Sequence, residues 1–256
     1  MLKEERQRLI EELLKNNSVI SNADILNLSN VTEMTIRRDL KEMEEKGLLV
    51  RIHGGAKSIN SDVEATNPKK EFSHIRKRTI NRPHKKHVAQ LIAKEINEGD
   101  TVFLGSGTTI EIVYDYLTVP NIQVVTNSML VFEKFKLDKR YETILIGGVY
   151  RDVSASFHGT ISDQVAENFH VQKAFISANG ILNNNIYDAV AEEGLTQKII
   201  FENAKLKYLA VDSSKFDKKD FYQFYQTQDL DFILTDNEIP LETLEHYRNY
   251  CKIMTK

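Results

Sequence analysis

The sequence predicts an α/β protein in two parts, a small, mostly helical amino-terminal domain and a larger domain on a largely parallel sheet. Three observations carry this. Residues 3–46 place apolar side chains at helical spacing among charged ones and stop at Gly47. From Val88 onward, short apolar runs alternate with helical stretches, the pattern of parallel strands covered on both faces. Between the two, residues 58–75 are polar, carry Pro68 beside Lys69 and Lys70, and hold no lasting periodicity, as a linker does. At 256 residues and 41% hydrophobic content, the chain can fill one small core and one of medium size.

The first domain, residues 1–57, reads element by element. Leu9, Ile10, Leu13 and Leu14 stripe a helix over residues 3–15. Ser21 is placed to cap a second helix, with the Asp24 carboxylate three residues on to meet unpaired amides, and Ile25 and Leu28 facing inward. Ser29-Asn30-Val31 leaves room only for a tight corner, after which Thr32 caps a third helix. Ile36, Leu40 and Met43 mark the inner side of that helix, leaving Thr35, Arg37, Arg38 and Lys41 to point elsewhere. Gly47 is the expected left-handed stop. Residues 49–52 and 56–59 then form the two halves of a hairpin that turns at Gly54-Gly55. Two helices meeting at a corner with a hairpin beside them make a winged helix-turn-helix. Its partner is double-stranded DNA, and the candidate contacts are Ser21, Thr32, Thr35, Arg37, Arg38, Lys41, Arg51, His53 and Gly54. The competing reading of the arginines is an ordinary solvated face paired with Glu33, Asp39 or Glu42.

Net charge does not announce such a partner. Residues 1–57 are neutral, residues 58–87 carry +5 and residues 88–256 carry −8. The distribution does, because the acids collect in the first helix and the tail of the third, while the basic groups sit on the elements that face a duplex. One cysteine, Cys251, excludes an internal disulfide. With no apolar signal core and no run of membrane-spanning length, the expectation is a cytoplasmic protein with no membrane association. No His/Cys/Asp cluster has metal-ligand spacing, so neither a metal nor a cofactor is expected.

In the domain expected over 76–256, the apolar runs end in polar or glycine-rich clusters: Gly105-Ser106-Gly107-Thr108-Thr109, Thr126-Asn127-Ser128, Gly147-Gly148, Ala178-Asn179-Gly180 and Asp212-Ser213-Ser214-Lys215. These fall on the carboxyl edge of the sheet, where ligands of such folds bind. A glycine-rich turn opening a helix at Ile110 suits a phosphate. A nucleotide suits it less, since the third glycine of the dinucleotide fingerprint is missing and no phosphate-binding loop of the G-x-x-x-x-G-K type is present. A phosphorylated sugar fits. Candidate effector-binding residues are Lys85, Ser106, Gly107, Thr108, Thr109, Thr126, Asn127, Gly147, Gly148, Glu193, Asp212 and Lys215. Lys85 and Lys215 would meet the phosphate, and Asp212, Glu193 and Asn127 the hydroxyls. The basic stretch from Arg76 to His87 serves either DNA phosphates or this ligand. His158 is a lone histidine with no catalytic partner in view.

The segment TEMTIRRDLKEMEEKGLLVRIHGGA resembles the amino-terminal winged helix of the DeoR family of bacterial transcriptional repressors, and most of all the branch controlling lactose phosphotransferase operons. The likeness continues through Arg76, Asn81, Lys85, GSGTT, Thr126-Asn127-Ser128, Ile146-Gly147-Gly148 and Asp212-Ser213-Ser214-Lys215. It implies a sensor domain similar to ribose-5-phosphate isomerase and glucosamine-6-phosphate deaminase. It also implies a repressor of lactose or galactose-tagatose catabolism released by a phosphorylated sugar such as tagatose 6-phosphate. Reading a duplex with paired helices calls for a homo-oligomer, a dimer or tetramer. Asn183-Asn184-Asn185 and Gly194 depart from the family pattern, the former at the expected rim of the sugar site. The alternative is a sugar-phosphate isomerase-like enzyme using Glu193, Asp212 and Lys215, which fold likeness alone does not support; the expectation is a regulator and not an enzyme.

Overall fold

A computed structural model describes residues 3–16, 19–29, 31–52, 54–58 and 74–256. The chain divides into two compact units, Met1–Phe72 and Ser73–Lys256.

The first unit contains α1 (Lys3–Asn16), β1 (Val19–Ser21), α2 (Asn22–Ser29), α3 (Glu33–Glu45), β2 (Val50–Ile52) and β3 (Gly55–Lys57). Its core joins Ile10, Leu14, Ile20, Ile25, Ile36, Leu40, Met43, Leu49 and Ala56. Both expected caps form. The Ser21 hydroxyl accepts from the Asp24 amide, while the Asp24 carboxylate accepts from the Ser21 amide and hydroxyl at 2.8 Å each. The Thr32 hydroxyl accepts from the Thr35 amide. At the far end of α3, the Gly47 amide donates to Glu44 O and the Leu48 amide to Met43 O, a Schellman ending with Gly47 at φ +68°. The helix therefore stops where the hairpin must begin.

Two features of this unit differ from the expectation. Leu28 is 55% exposed, because the short α2 buries positions four apart, Ile25 and Ser29, and the Ser29 hydroxyl folds back onto Ile25 O. The wing is a three-stranded antiparallel sheet in the order β1-β3-β2, with the three residues before α2 adding a strand. That makes β3 the central strand and changes the role of its first residue: only Gly54 needs a positive φ, whereas Gly55 lies against β1, where an added Cβ would stand 2.0 Å from Ile20 O. Gly55→Ala is expected to displace β1 and destabilise this unit by ~1–3 kcal/mol, read as an earlier first transition in urea unfolding.

The second unit begins with α4 (His74–Thr79) and α5 (Arg82–Glu95). There follow β4 (Thr101–Leu104), a 3-10 turn at Ile110–Asp115, β5 (Ile122–Thr126), α6 (Met129–Phe135) and β6 (Tyr141–Leu145). A hairpin of β7 (Val149–Arg151) and β8 (Ser156–His158) leads through α7 (Thr160–Ala166) to β9 (Val171–Ile176). Then come β10 (Gly180–Leu182), β11 (Asn185–Asp188), α8 (Ala191–Glu202), β12 (Ala204–Ala210), β13 (Tyr222–Gln226), β14 (Phe232–Leu234), α9 (Leu241–Arg248) and β15 (Lys252–Met254). The main sheet runs β15-β14-β12-β9-β4-β5-β6, and every pairing in it is parallel. Alternation along each strand feeds two cores. Val102, Leu104 and Val124 pack with Val88, Leu91 and Ile92 of α5, and Phe103, Val125, Ala174 and Leu209 pack with Ile200 and Phe201 of α8.

Four handovers read as strand to helix are something else, one of them the Asp212-Ser213-Ser214-Lys215 cluster, where a three-residue 3-10 turn leads on to β13. After Gly147-Gly148 comes the β7–β8 hairpin, and after Gly180 the β10–β11 hairpin, which β13 extends. After GSGTT comes only a six-residue 3-10 turn, whose cap Thr109 makes no side-chain capping bond. The phosphate reading of GSGTT therefore cannot lean on a helix terminus and must stand on side chains. The strand order locates them. From β4 the chain moves one way to β5 and β6, then returns to the other flank of β4 with β9 and continues outward through β12 and β14. The direction reverses between β4 and β9, so the carboxyl ends of those two strands open the crevice where ligands of such sheets bind.

Candidate nucleic-acid interface and effector site

On the outward side of α3, Arg37 reaches back one turn to Glu33, with Nε at 3.1 Å and Nη2 at 2.7 Å. Arg38 is exposed and makes no hydrogen bond or ion pair with another described residue. Lys41 lies 3.9 Å from Glu45, and the Arg51 guanidinium 3.9 Å from Glu44, whose carboxylate also accepts the Arg51 amide. These are exposed pairs of the kind worth little, which a phosphate displaces readily. The pairing expected for Arg37 is thus real, while Arg38 stays available. Met34, also on α3, is 80% exposed. The hydroxyls of Ser21, Thr32 and Thr35 are engaged at the helix starts, the last two sharing a 2.9 Å hydrogen bond. A concavity of about 300 Å³ separates α3 from the wing, lined by Asn22, Arg37, Leu40, Arg51, Ile52, Gly54 and Gly55. His53 lies outside the described residues.

Sequence reasoning missed the partner of Asp39. This acid, next to Arg38, is 3% exposed and takes Arg6 Nε at 2.7 Å and Nη2 at 3.3 Å across the core. Arg6 is itself nearly buried, and the hydrogen bond to Asp39 holds its guanidinium firmly in the charged form. A charged residue one turn before Ile10 on the inner side of α1 was the available signal.

In the second unit, Gly107 takes φ +127° with Ser177 packed where a Cβ would point, so the loop after β4 presses against the loop after β9 at the reversal. Ser106, Thr108 and Thr109 are nearly buried there, and their hydroxyls bond no other described residue. Beyond β12, Asp212 is 1% exposed, and its Oδ1 accepts from Asn81 Nδ2 at 3.1 Å, from the Ser214 amide at 3.1 Å and from the Ser214 hydroxyl. Asn81 sits at φ +53° ahead of α5 and also donates to the Ser214 hydroxyl at 2.9 Å. One turn into α5, Lys85 is 5% exposed and donates Nζ to Lys77 O. Burial, opposed by Asp212 and reinforced by Lys215 and Lys77, lowers its pKa to about 8. Burial likewise lowers Lys215, with Asp212 opposing and Lys77 and Lys218 adding repulsion. The expected cations Lys85 and Lys215 therefore share the influence of Asp212, and burial disfavours the charge of each. That is the condition under which an anion gains most.

The basic stretch after the linker belongs to this unit. Its helix starts at His74, inside the stretch expected as linker, because the His74 amide donates to Val153 O and the ring packs against Glu111. Lys77 Nζ reaches Asn179 Oδ1 at 3.2 Å, Arg78 Nη2 bonds Glu111 Oε1, and His84 Nδ1 meets Asp236 Oδ1 at 2.9 Å, which raises the His84 pKa. Burial together with the nearby charges of Arg78, Lys77 and Lys85 drives the His74 pKa down to about 4.

Other expected ligands are used by the fold itself. Thr126 is fully buried, its hydroxyl donating to Leu104 O at 2.6 Å and accepting from the Ser128 amide. Gly148 abuts Ser162 and His158, and Gly147 O accepts from the Ser162 hydroxyl, so this pair seats the β7–β8 hairpin on α7. Glu193 accepts from Arg151 Nη1 at 2.9 Å and from Ser154, both on that hairpin. Asn127 is divided: Nδ2 donates to Phe157 O at 2.9 Å, while Oδ1 is buried without a partner. His158 Nε2 is also buried and unbonded, and no described residue makes it part of a catalytic group.

A family model described as the DeoR-like helix-turn-helix domain matches residues 6–62, and one described as the DeoR C terminal sensor domain matches residues 80–237. The chain belongs to the DeoR family. Among its relatives, the lactose phosphotransferase system repressor of Streptococcus mutans is 38% identical over 251 residues, covering 96% of this chain and 98% of that protein. The repressor of the same name from Staphylococcus epidermidis is 35% identical over 257 residues, all of both chains. A solved D-ribose-5-phosphate isomerase in complex with phospho-erythronic acid aligns with 53% of this chain and 55% of that chain, at 20% identity and a TM-score of 0.39. Within this DeoR-family chain, the first unit carries the helix-turn-helix and the second the sensor, as the resemblance implied. Among the described residues, no helix is long and apolar enough to cross a membrane.

Proposed function

We propose that this chain represses a lactose phosphotransferase operon, reading operator DNA with α3 and the wing and letting go when tagatose 6-phosphate enters the crevice between β4 and β9. The observation that carries the reading is the set of cations beside that crevice: Lys77 joins Asn179, on the loop after β9, to Lys85, and Lys85 and Lys215 both feel the charge of Asp212 at the end of β12, the strand next to β9. Such a set is costly until an anion arrives, and a phosphate dianion supplies that charge. The names of the full-length relatives support the operon and the repressor role. Symmetric readers imply a dimer or tetramer. Release requires that the sugar bind more tightly to the arrangement that misplaces the readers.

Fluorescence anisotropy with a labelled lactose-operon promoter fragment tests the whole reading. The protein is expected to prefer that fragment to random competitor and to release it with tagatose 6-phosphate but not with tagatose; equal binding to both DNAs, with or without the sugar, would falsify it. Arg38→Ala is expected to weaken operator binding by ~1–3 kcal/mol, about 5- to 150-fold, and more than Arg37→Ala, whose guanidinium is already engaged by Glu33. Isomerase activity is the competing outcome. Asp212 Oδ1 carries three donors and Glu193 an arginine and a serine, so neither carboxylate is poised to take a proton from a sugar. Turnover of sugar phosphates at ordinary enzymatic rates would overturn the repressor reading.

A further inference from the structure

We infer that Arg78, on the helix through which the chain enters the sensor, is a ligand for the effector's phosphate and that Glu111 positions it. The inference rests on the effector reading of the β4–β9 crevice and adds to it a residue and a route. Glu111 is 2% exposed, and its amide donates to Gly107 O at 3.0 Å, so its backbone is tied to the GSGTT loop itself. Its carboxylate receives Arg78 Nη2 through Oε1, while Oε2 faces the His74 ring at 3.4 Å and accepts no hydrogen bond. A carboxylate so deeply buried beside an imidazole held neutral requires the guanidinium. Arg78 is fixed by that contact at one corner of its fork, and the side chain is still 50% exposed. Guanidinium donors left over on a side chain anchored to the phosphate loop match the bidentate geometry of a phosphate monoester.

The neighbouring contacts place α4 around the same crevice. Lys77 donates to Asn179, on the loop after β9, and its backbone carbonyl receives Lys85. The first residue of the helix, His74, is tied to the β7–β8 hairpin through Val153. The described polar ties of α4 thus run to the loops after β4 and β9, to that hairpin and to Lys85. A phosphate gripped by Arg78 on one side and by Lys85 and Lys215 on the other draws on the sensor element nearest the linker, so the bound state is communicated at the end of the chain that leads to the reader.

Calorimetric titration of the full-length protein with tagatose 6-phosphate, and separately with inorganic phosphate, tests the assignment. Arg78→Ala is expected to weaken both ligands at least tenfold, and Arg78→Lys, which keeps a cation beside Glu111, to recover part of the loss, with a thermal melt of each variant separating lost contact from lost folding. Glu111→Gln is expected to weaken both ligands in the wild-type background and to add little in the Arg78→Ala background, the non-additivity of a residue acting through another. A merely structural Glu111 would give additive losses and would overturn the positioning role. Wild-type binding that Arg78→Ala leaves intact overturns the assignment alone. A wild-type protein that binds neither probe overturns the effector reading as well.

Discussion

Asp39→Ala is expected to unfold the amino-terminal unit while leaving the sensor folded. Asp39 and Arg6 are the only oppositely charged pair among the described residues of this unit with both side chains close to full burial, 5% and 11% exposed. Removing Asp39 takes away the carboxylate that receives Nε and Nη2 of the nearly buried Arg6 guanidinium, beside a core that includes Ile10, Ile36 and Leu40, at a cost of ~3–5 kcal/mol. A unit of this length has a total stability of roughly the same size. Urea or thermal unfolding should lose its first transition and keep the second, and operator binding should vanish with effector binding intact. Replacing both partners together, as Arg6→Met with Asp39→Leu, should restore most of the stability, because burying an ion pair is close to neutral against an apolar pair of similar volume. A single variant that melts with the wild-type profile sinks the argument. Asp39 directly follows the arginine assigned to DNA, so a loss of binding on its replacement reports folding and not contact.

What could be read from the chain beforehand follows the range of the physics involved. Caps, the stop at Gly47 and the inner side of α3 depend on neighbours within a few residues, and all are present as expected. The parallel sheet was also legible, since each strand buried on both faces reads as an apolar run. Pairings between distant segments were not. Arg6 with Asp39 spans 33 positions and Asn81 with Asp212 spans 131, and nothing local in either acid says what it meets. β1 is three residues long and earns its strand only through β3. The site shows the same division. Asp212 and Lys215 stand out at a strand end and Lys85 in a basic stretch at the family's spacing, and in the structure Asp212 and Lys215 both act on the charge of Lys85. Thr126, Glu193 and Gly148 shared that placement but serve internal bonds, which a motif at a strand end cannot reveal. The reversal between β4 and β9, which picks one crevice from a whole edge, depends on strand order, a property of the assembled sheet.

Lys85→Met is expected to give a repressor that binds its operator and no longer answers the effector. The substitution keeps the length of a side chain that is 5% exposed and removes the charge that a phosphate would neutralise. It should also stabilise the sensor. Folding lowers the Lys85 pKa to about 8, so at neutral pH the folded state holds a cation that its surroundings disfavour, and this penalty is relieved as pH rises through about 8 toward the ordinary lysine value. Effector binding runs in the opposite sense. The phosphate needs the protonated lysine, so wild-type affinity should fall as pH climbs from 7 to 9.5, by up to about tenfold per pH unit above 8. A phosphate monoester titrates near pH ~6 and is already a dianion over that range, which isolates the lysine in the profile. Lys215, lowered by burial and facing the same Asp212, contributes with the same sign. Titrations of wild-type and Lys85→Met protein across that interval separate the cases. A sloping wild-type profile beside weak, nearly flat binding by the variant is the expected result, whereas a variant released from DNA at the wild-type sugar concentration would remove Lys85 from the site and leave the depressed pKa as a consequence of packing alone.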